Sequence, residues 1–144
     1  MKDPCDGNLT ILLVEDDDVA AEAVVRSLGK AQLMFPVVWA EDGEQALRAL
    51  RGQDPARPVP RPRVTLLDLN MPHMNGFEFL QNLRADPELC DDVVFVLTTS
   101  DADTDRVRAY HEHVAGYMVK ASVGPQFARL AQLLDLYHSA IRLP

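Results

Sequence analysis

The sequence predicts a doubly wound α/β domain, a five-stranded parallel sheet carrying helices on both faces. Two observations predict it. Short apolar runs alternate five times with segments whose apolar residues recur at helical spacing. The runs also lack polar alternation, the pattern of strands buried on both faces. Each connection must then be a right-handed crossover that returns to the same sheet.

Leu9 to Val14 is the first such run. From Asp18 to about Lys30, Val19, Ala23, Val24 and Leu28 recur at helical spacing, with acidic residues at the start and Lys30 at the end, as the helix dipole favours. Phe35 to Ala40 reads as the second strand and Gly43 to Leu50 as a short helix with Ala46, Leu47 and Leu50 facing inward. Arg51 to Arg63 carries four prolines and four arginines and can form neither a helix nor a central strand. Because the alternation of strand and helix resumes beyond it, residues 52–63 read as a long surface loop inside one domain.

Val64 to Leu67 is the third strand, ending at Asp68. A helix follows from Asn75 to Arg84, with Phe77, Leu80 and Leu83 on one face, and Asp86-Pro87 closes it. Val93 to Leu97, the fourth strand, is the most apolar run in the chain. A polar helix over Asp103 to His113, a short fifth strand over Ala115 to Val119, and a last helix over Pro125 to Arg142 complete the pattern. The last helix has Phe127, Leu130, Leu134, Tyr137 and Ile141 as its expected buried stripe, and Pro125 suits its first turn.

The bulk composition agrees with one domain: 144 residues, 47% of them hydrophobic, suffice for a single core and would be cramped as two. The N-terminus has no apolar stretch and no run approaches the ~20 residues of a membrane span, so a cytoplasmic protein is expected. Cys5 and Cys90 belong to no CxxC pair and read as free thiols. With 14 basic against 22 acidic residues the net charge is −8, which argues against direct nucleic-acid binding.

In such a fold the functional site lies at the carboxyl ends of the strands. There the sequence places Glu15-Asp16, Asp68, Thr98-Thr99-Ser100 and Lys120. Carboxylates crowded together repel one another unless a cation neutralises them, and Mg²⁺ suits an all-oxygen site that keeps some waters. Mg²⁺ beside Asp68 could coordinate an incoming phosphoryl oxygen, with Lys120 and a hydroxyl answering the remaining charge. Asp68 is then the nucleophile.

Four segments now resemble the signatures of response-regulator receiver domains: Leu-Leu-Val-Glu15-Asp16; Leu-Leu-Asp68-Leu-Asn-Met-Pro72 with Asn75-Gly76; Val-Leu-Thr98; and Gly-Tyr117-Met-Val-Lys120. They occur in order and the resemblance covers residues from about 9 to 141. It implies a flavodoxin-like fold with strand order 2-1-3-4-5, and a signalling phosphoacceptor that catalyses only its own phosphoryl transfer and loss. It implies that Glu15 and Asp16 position Mg²⁺, that Asp68 accepts the phosphoryl group, and that Asn70 lends its backbone carbonyl to the metal. Thr98 would hydrogen-bond the phosphoryl group, Lys120 would pair with it, and Tyr117 would rotate behind Thr98 to reshape the surface of the fourth helix, fifth strand and fifth helix.

Two departures stand out. The family usually has a proline in a cis peptide after the lysine, where this chain has Ala121, and a cis bond there costs about 3 kcal/mol. Glu15 replaces the commoner Asp and keeps the charge. The proline-rich insertion and Val-Leu-Thr-Thr-Ser look most like the stand-alone regulators that partner phytochrome photoreceptor kinases. That likeness implies a histidine kinase of the bacterial phytochrome type as partner, and a homodimer. Few residues follow the fifth helix, so no output domain is expected and output would pass through a separate protein or dimerisation.

Plainer readings stand beside these. Asp17 and Asp18 read as helix caps. One of Thr98 and Thr99 is expected to be structural only, and Tyr117 could be plain core. His111 and His113 point apart on a helix and His73 needs no chemical role, so all three read as surface residues. Arg57, Arg61 and Arg63 read as solvated loop arginines, and Trp39 as packing. Two other functions are weighed: a haloacid-dehalogenase-like phosphohydrolase needs an acid two residues after its nucleophile, where Asn70 stands, and a receiver-like module that is never phosphorylated would account for Ala121.

Overall fold

The computed structural model describes residues 9–71, 74–122 and 127–144. Its strands are β1 (Thr10–Val14), β2 (Val37–Ala40), β3 (Arg63–Leu67), β4 (Val93–Thr98) and β5 (Gly116–Val119). Its helices are α1 (Asp18–Lys30), α2 (Gly43–Leu50), α3 (Gly76–Ala85), α4 (Asp103–His111) and α5 (Ala128–Ala140), and a 3-10 turn covers Lys120–Ser122. The sheet order is β2-β1-β3-β4-β5 and every pairing is parallel, the flavodoxin-like arrangement.

Period-two alternation divides the strand residues between two apolar layers. Leu12, Val14, Leu67, Val94 and Val96 join α2 and α3 on one face. Ile11, Leu13, Val64, Leu66, Phe95 and Leu97 join α1 and α5 on the other. All five residues of β1 and all five of β3 are buried, as strands covered by helices on both faces must be.

The structure corrects several details. On α1 the buried face is Ala21, Val24, Ser27 and Leu28, while Val19 is 71% exposed and Ala23 only half-buried, because the inward stripe is offset from Val19 around the helix. Ile141 is exposed because α5 ends at Ala140, so the stripe narrows to Leu130, Ala131 and Leu134 with Phe127 and Tyr137 partly buried against the same core. Helix α4 stops at His111, with His113 in a left-handed conformation two residues on. Pro72, His73, Pro125 and Cys5 lie outside the described residues.

The arginines of the proline-rich segment are not merely solvated. Arg63 opens β3, is buried, and grips Asp92 at the start of β4 through Nε (2.8 Å) and Nη2 (3.1 Å). Its Nη1 also donates to the Val59 carbonyl, and Arg61 donates to the same Asp92 carboxylate. Arg57 pairs with Asp54 and donates to the carbonyl of Trp39 on edge strand β2. These bonds hold the segment against the sheet with Val59 buried under it.

Among the described residues, Thr65 Oγ1 is the buried side-chain polar atom without a hydrogen-bond partner, set in β3 between Leu12 and Val94. A hydroxyl buried unpaired costs ~1–3 kcal/mol, and valine has nearly its shape. Thr65→Val should therefore raise stability by about 1 kcal/mol in urea unfolding; a loss of stability would show that the hydroxyl is paired.

Candidate functional site

Backbone register builds the site. Val14 of β1 pairs with Leu67 of β3, so Glu15 and Asp68 emerge side by side one residue later. The Asp68 N–H donates to the Val14 carbonyl and the Glu15 N–H to the Ala40 carbonyl, so the ladders hold both residues in place. Thr98 of β4 pairs with Val119 of β5, which puts Lys120 on the same edge. A glycine tightens this frame. A Cβ on Gly76 at the start of α3 would lie 2.8 Å from the Asp68 carbonyl oxygen and 2.7 Å from the Leu69 Cα, so only glycine lets α3 approach the backbone that carries Asp68. Asn75 caps that helix in a reciprocal capping box with Glu78.

One oxygen from each of Glu15, Asp16 and Asp68 lies within 4.8 Å of the other two. Glu15 and Asp68 are buried and Asp16 is exposed, so the cluster opens to solvent on one side. Lys120 Nζ sits 3.0 Å from Glu15 Oε2 and 3.8 Å from Asp68 Oδ2. Three carboxylates face one amine, and Glu15 carries the largest consequence of burial beside them. Burial first, and then the Asp68 carboxylate, push its pKa up to about 7 against the pull of Lys120. Hard, closely spaced carboxylate oxygens with surplus negative charge fit an oxygen-seeking divalent cation such as Mg²⁺.

Thr98 is fully buried at the end of β4, whereas Thr99 is exposed. Tyr117 is half-buried and donates its hydroxyl to the Ser100 carbonyl at 3.0 Å. Asn70, exposed, donates its N–H to Asp68 Oδ1 at 3.3 Å, which orients the carboxylate. The Lys120–Ala121 peptide is trans and opens the 3-10 turn, yet the amine still reaches both buried carboxylates. Asp17 is the N-cap of α1, accepting the Val19 N–H, while Asp18 lies in its first turn. His111 and His113 are exposed.

Residues 11–132 match the response regulator receiver domain family. This chain belongs to that family. It is 38% identical over 111 residues to the probable methanogenesis regulatory protein FilR2 of Methanothrix harundinacea, covering 76% of this chain and 70% of that protein. It is 34% identical over 121 residues to the response regulator Rcp1 of Synechocystis, covering 84% of this chain and 82% of Rcp1. The Mn²⁺-bound form of Rcp1 matches with a TM-score of 0.81 at 30% identity, over 96% of this chain and 99% of that one. The phosphorylated cyanobacterial phytochrome response regulator RcpA matches with a TM-score of 0.83 at 29% identity, over 96% and 99% of the two chains. No helix among the described residues is long and apolar enough to cross a membrane.

Two residues of this receiver domain that the sequence left in the background touch the site. Trp39 Nε1 donates to the Glu15 carbonyl at 2.7 Å, so the tryptophan read as packing also steadies an acidic residue. Ser100 accepts the Tyr117 hydroxyl and donates its N–H to Thr98 Oγ1 at 3.3 Å. Ser100 adjoins the threonine motif, so its place on a strand end was a usable signal. Trp39 lies on another strand, 24 residues from Glu15, and nothing local links the two.

Because folding raises the Glu15 pKa, the folded metal-free protein holds a proton that the unfolded chain releases. Its stability in a chelator is therefore greatest below about pH 4.5, as far as this group is concerned, and declines as pH rises toward about 7. Glu15→Gln should flatten that decline; a wild-type curve that climbs over this interval and is unaltered by the substitution would refute the assignment.

Proposed function

We propose that this receiver domain works as a response regulator in which Asp68 takes a phosphoryl group from a histidine kinase, with Mg²⁺ held by Glu15, Asp16, Asp68 and the backbone carbonyl of Asn70. The observation that carries this reading is the meeting of three carboxylates and the Lys120 amine on one sheet edge. When bound, the cation supplies the positive charge that a transferring phosphoryl group needs.

The rest falls to the chain. An Asp68 carboxylate oxygen bonds to phosphorus as the phosphorus–nitrogen bond of the donor phosphohistidine breaks, and the freed imidazole keeps the electron pair and takes up a proton. No base is required, because the attacking carboxylate carries no proton to lose. Lys120 moves from its bond with Glu15 to a phosphoryl oxygen, and the Thr98 hydroxyl donates to another. Thr98 and Tyr117 then change the surface of α4, β5 and α5. Exposed Val107 and Tyr110 on α4 supply apolar area for pairing with a second copy there, and we assign a homodimer to that face.

The likeness to the phytochrome response regulator RcpA supports a kinase of the phytochrome type, and the likeness to Rcp1, which has a Mn²⁺-bound form, supports a divalent ion. We place the protein in the cytoplasm as a signalling receiver that turns over no separate substrate. The surplus charge and the reach of Lys120 favour a working phosphoacceptor over an inert module, despite Ala121.

Incubation with acetyl phosphate and Mg²⁺ should add one phosphoryl group by intact mass, and Asp68→Asn should abolish it; uptake by the variant would sink the assignment of Asp68. Trp39, the single tryptophan, bonds to Glu15, so its fluorescence should change saturably with Mg²⁺ in the wild type and far more weakly in Asp16→Asn. Lys120→Ala should keep the fold and the Mg²⁺ response while uncoupling phosphorylation from any shift in oligomer size, and a shift that persists unchanged by light scattering counts against its role.

A further inference from the structure

Helix α4 has the fewest buried residues of the five, with Ala109 alone buried, and its two ends are held differently. Arg84 of α3 grips the C-terminal end. Its Nε donates to the Glu112 carbonyl at 2.8 Å and its Nη2 to the His113 carbonyl at 3.0 Å. Its Nη1 donates to the carbonyls of Cys90 and Asp92 at 2.8 and 2.7 Å. A rigid guanidinium fork with four carbonyl partners does not let go easily. Midway along the helix, the Arg108 guanidinium lies 4.0 Å from the centre of the Phe77 ring.

The N-terminal end has no such anchor. Ala102, at the N-cap position, has no side chain to cap with. Ser100 substitutes for it. Its hydroxyl donates to Asp105 Oδ2 in the first turn at 2.6 Å and accepts the Ala102 N–H at 3.4 Å. The same residue's N–H reaches Thr98 Oγ1 and its carbonyl accepts the Tyr117 hydroxyl. One serine thus joins the end of β4, the ring on β5 and the first turn of α4.

We infer that Ser100 is a positioning residue for the switch: its hydroxyl holds the first turn of α4 while its backbone N–H reaches Thr98 Oγ1, so α4 releases at its N-terminal end and pivots about the end held by Arg84. This rests on the receiver reading above, since a Thr98 hydroxyl drawn toward a phosphoryl group on Asp68 pulls on the Ser100 N–H. Little else opposes the release, because α4 buries one residue.

Amide exchange followed by NMR tests the latch without phosphorylation. The Arg106 N–H bonds to the Ala102 carbonyl at the latched end, and the Glu112 N–H bonds to the Ala109 carbonyl at the anchored end. In Ser100→Ala and in Asp105→Ala, exchange at Arg106 should quicken about tenfold, the size of one lost net hydrogen bond, while Glu112 is unchanged. Ser100→Thr should restore the wild-type rate. Phosphorylation of the wild type should quicken Arg106 in the same way and add little in Ser100→Ala, the two being compared at matched phosphoryl loading by intact mass. Unaltered exchange in Ser100→Ala, equal quickening at both ends, or a Ser100→Thr variant that behaves like Ser100→Ala would overturn the inference. Failure of the wild type to take up phosphoryl would strike the receiver reading instead and leave the unphosphorylated comparison to judge the latch.

Discussion

Like charge forced into a small volume governs this structure. Glu15, Asp16 and Asp68 would separate if free, yet the β1–β3 register brings two of them out of the sheet side by side and burial strips them of water. Lys120 offsets part of the repulsion, yet burial, with the Asp68 charge added to it, still raises the Glu15 pKa. The apolar layers on both faces of the sheet supply the free energy that holds the carboxylates together. A domain with a weaker core would relax by spreading them apart.

The same constraint explains the small residues and caps around the site. Gly76 admits α3 close against the Asp68–Leu69 backbone, and the Asn75–Glu78 capping box starts that helix at a defined residue. Asp17 caps α1 directly after the acidic pair, so Glu15 and Asp16 leave the strand at a fixed point. Trp39 bonds to the Glu15 carbonyl from the neighbouring strand. Each device fixes backbone, which is how a site of mutually repelling groups keeps its geometry.

At the opposite end of the strands the buried carboxylate is fully answered. Asp92 is buried, but it accepts from two arginines, and Arg63 grips both of its oxygens. This closed pair anchors the proline-rich segment and the starts of β3 and β4. The carboxylate at that end of the sheet is thereby paired, and the other end keeps unbalanced negative charge that a cation can answer. α4 stands between these regimes, gripped by Arg84 at one end and joined through Ser100 to the other.

Strand and helix identity, their order and the candidate site residues were legible in the sequence, because apolar periodicity and the residues that end each strand are local properties of the chain. The run Leu9 to Val14 has the pattern of a strand buried on both faces, and Asp68 and Lys120 follow such runs directly. The face of α1 turned inward was not legible: Val19 fits the helical spacing as well as Ala21 does, and only packing against the sheet chooses between them. The roles of Arg63 and Trp39 belong to the tertiary structure for the same reason. Arg63 meets Asp92 across 29 residues and Trp39 meets Glu15 across 24, and pairings made between strands leave no trace in the neighbouring sequence.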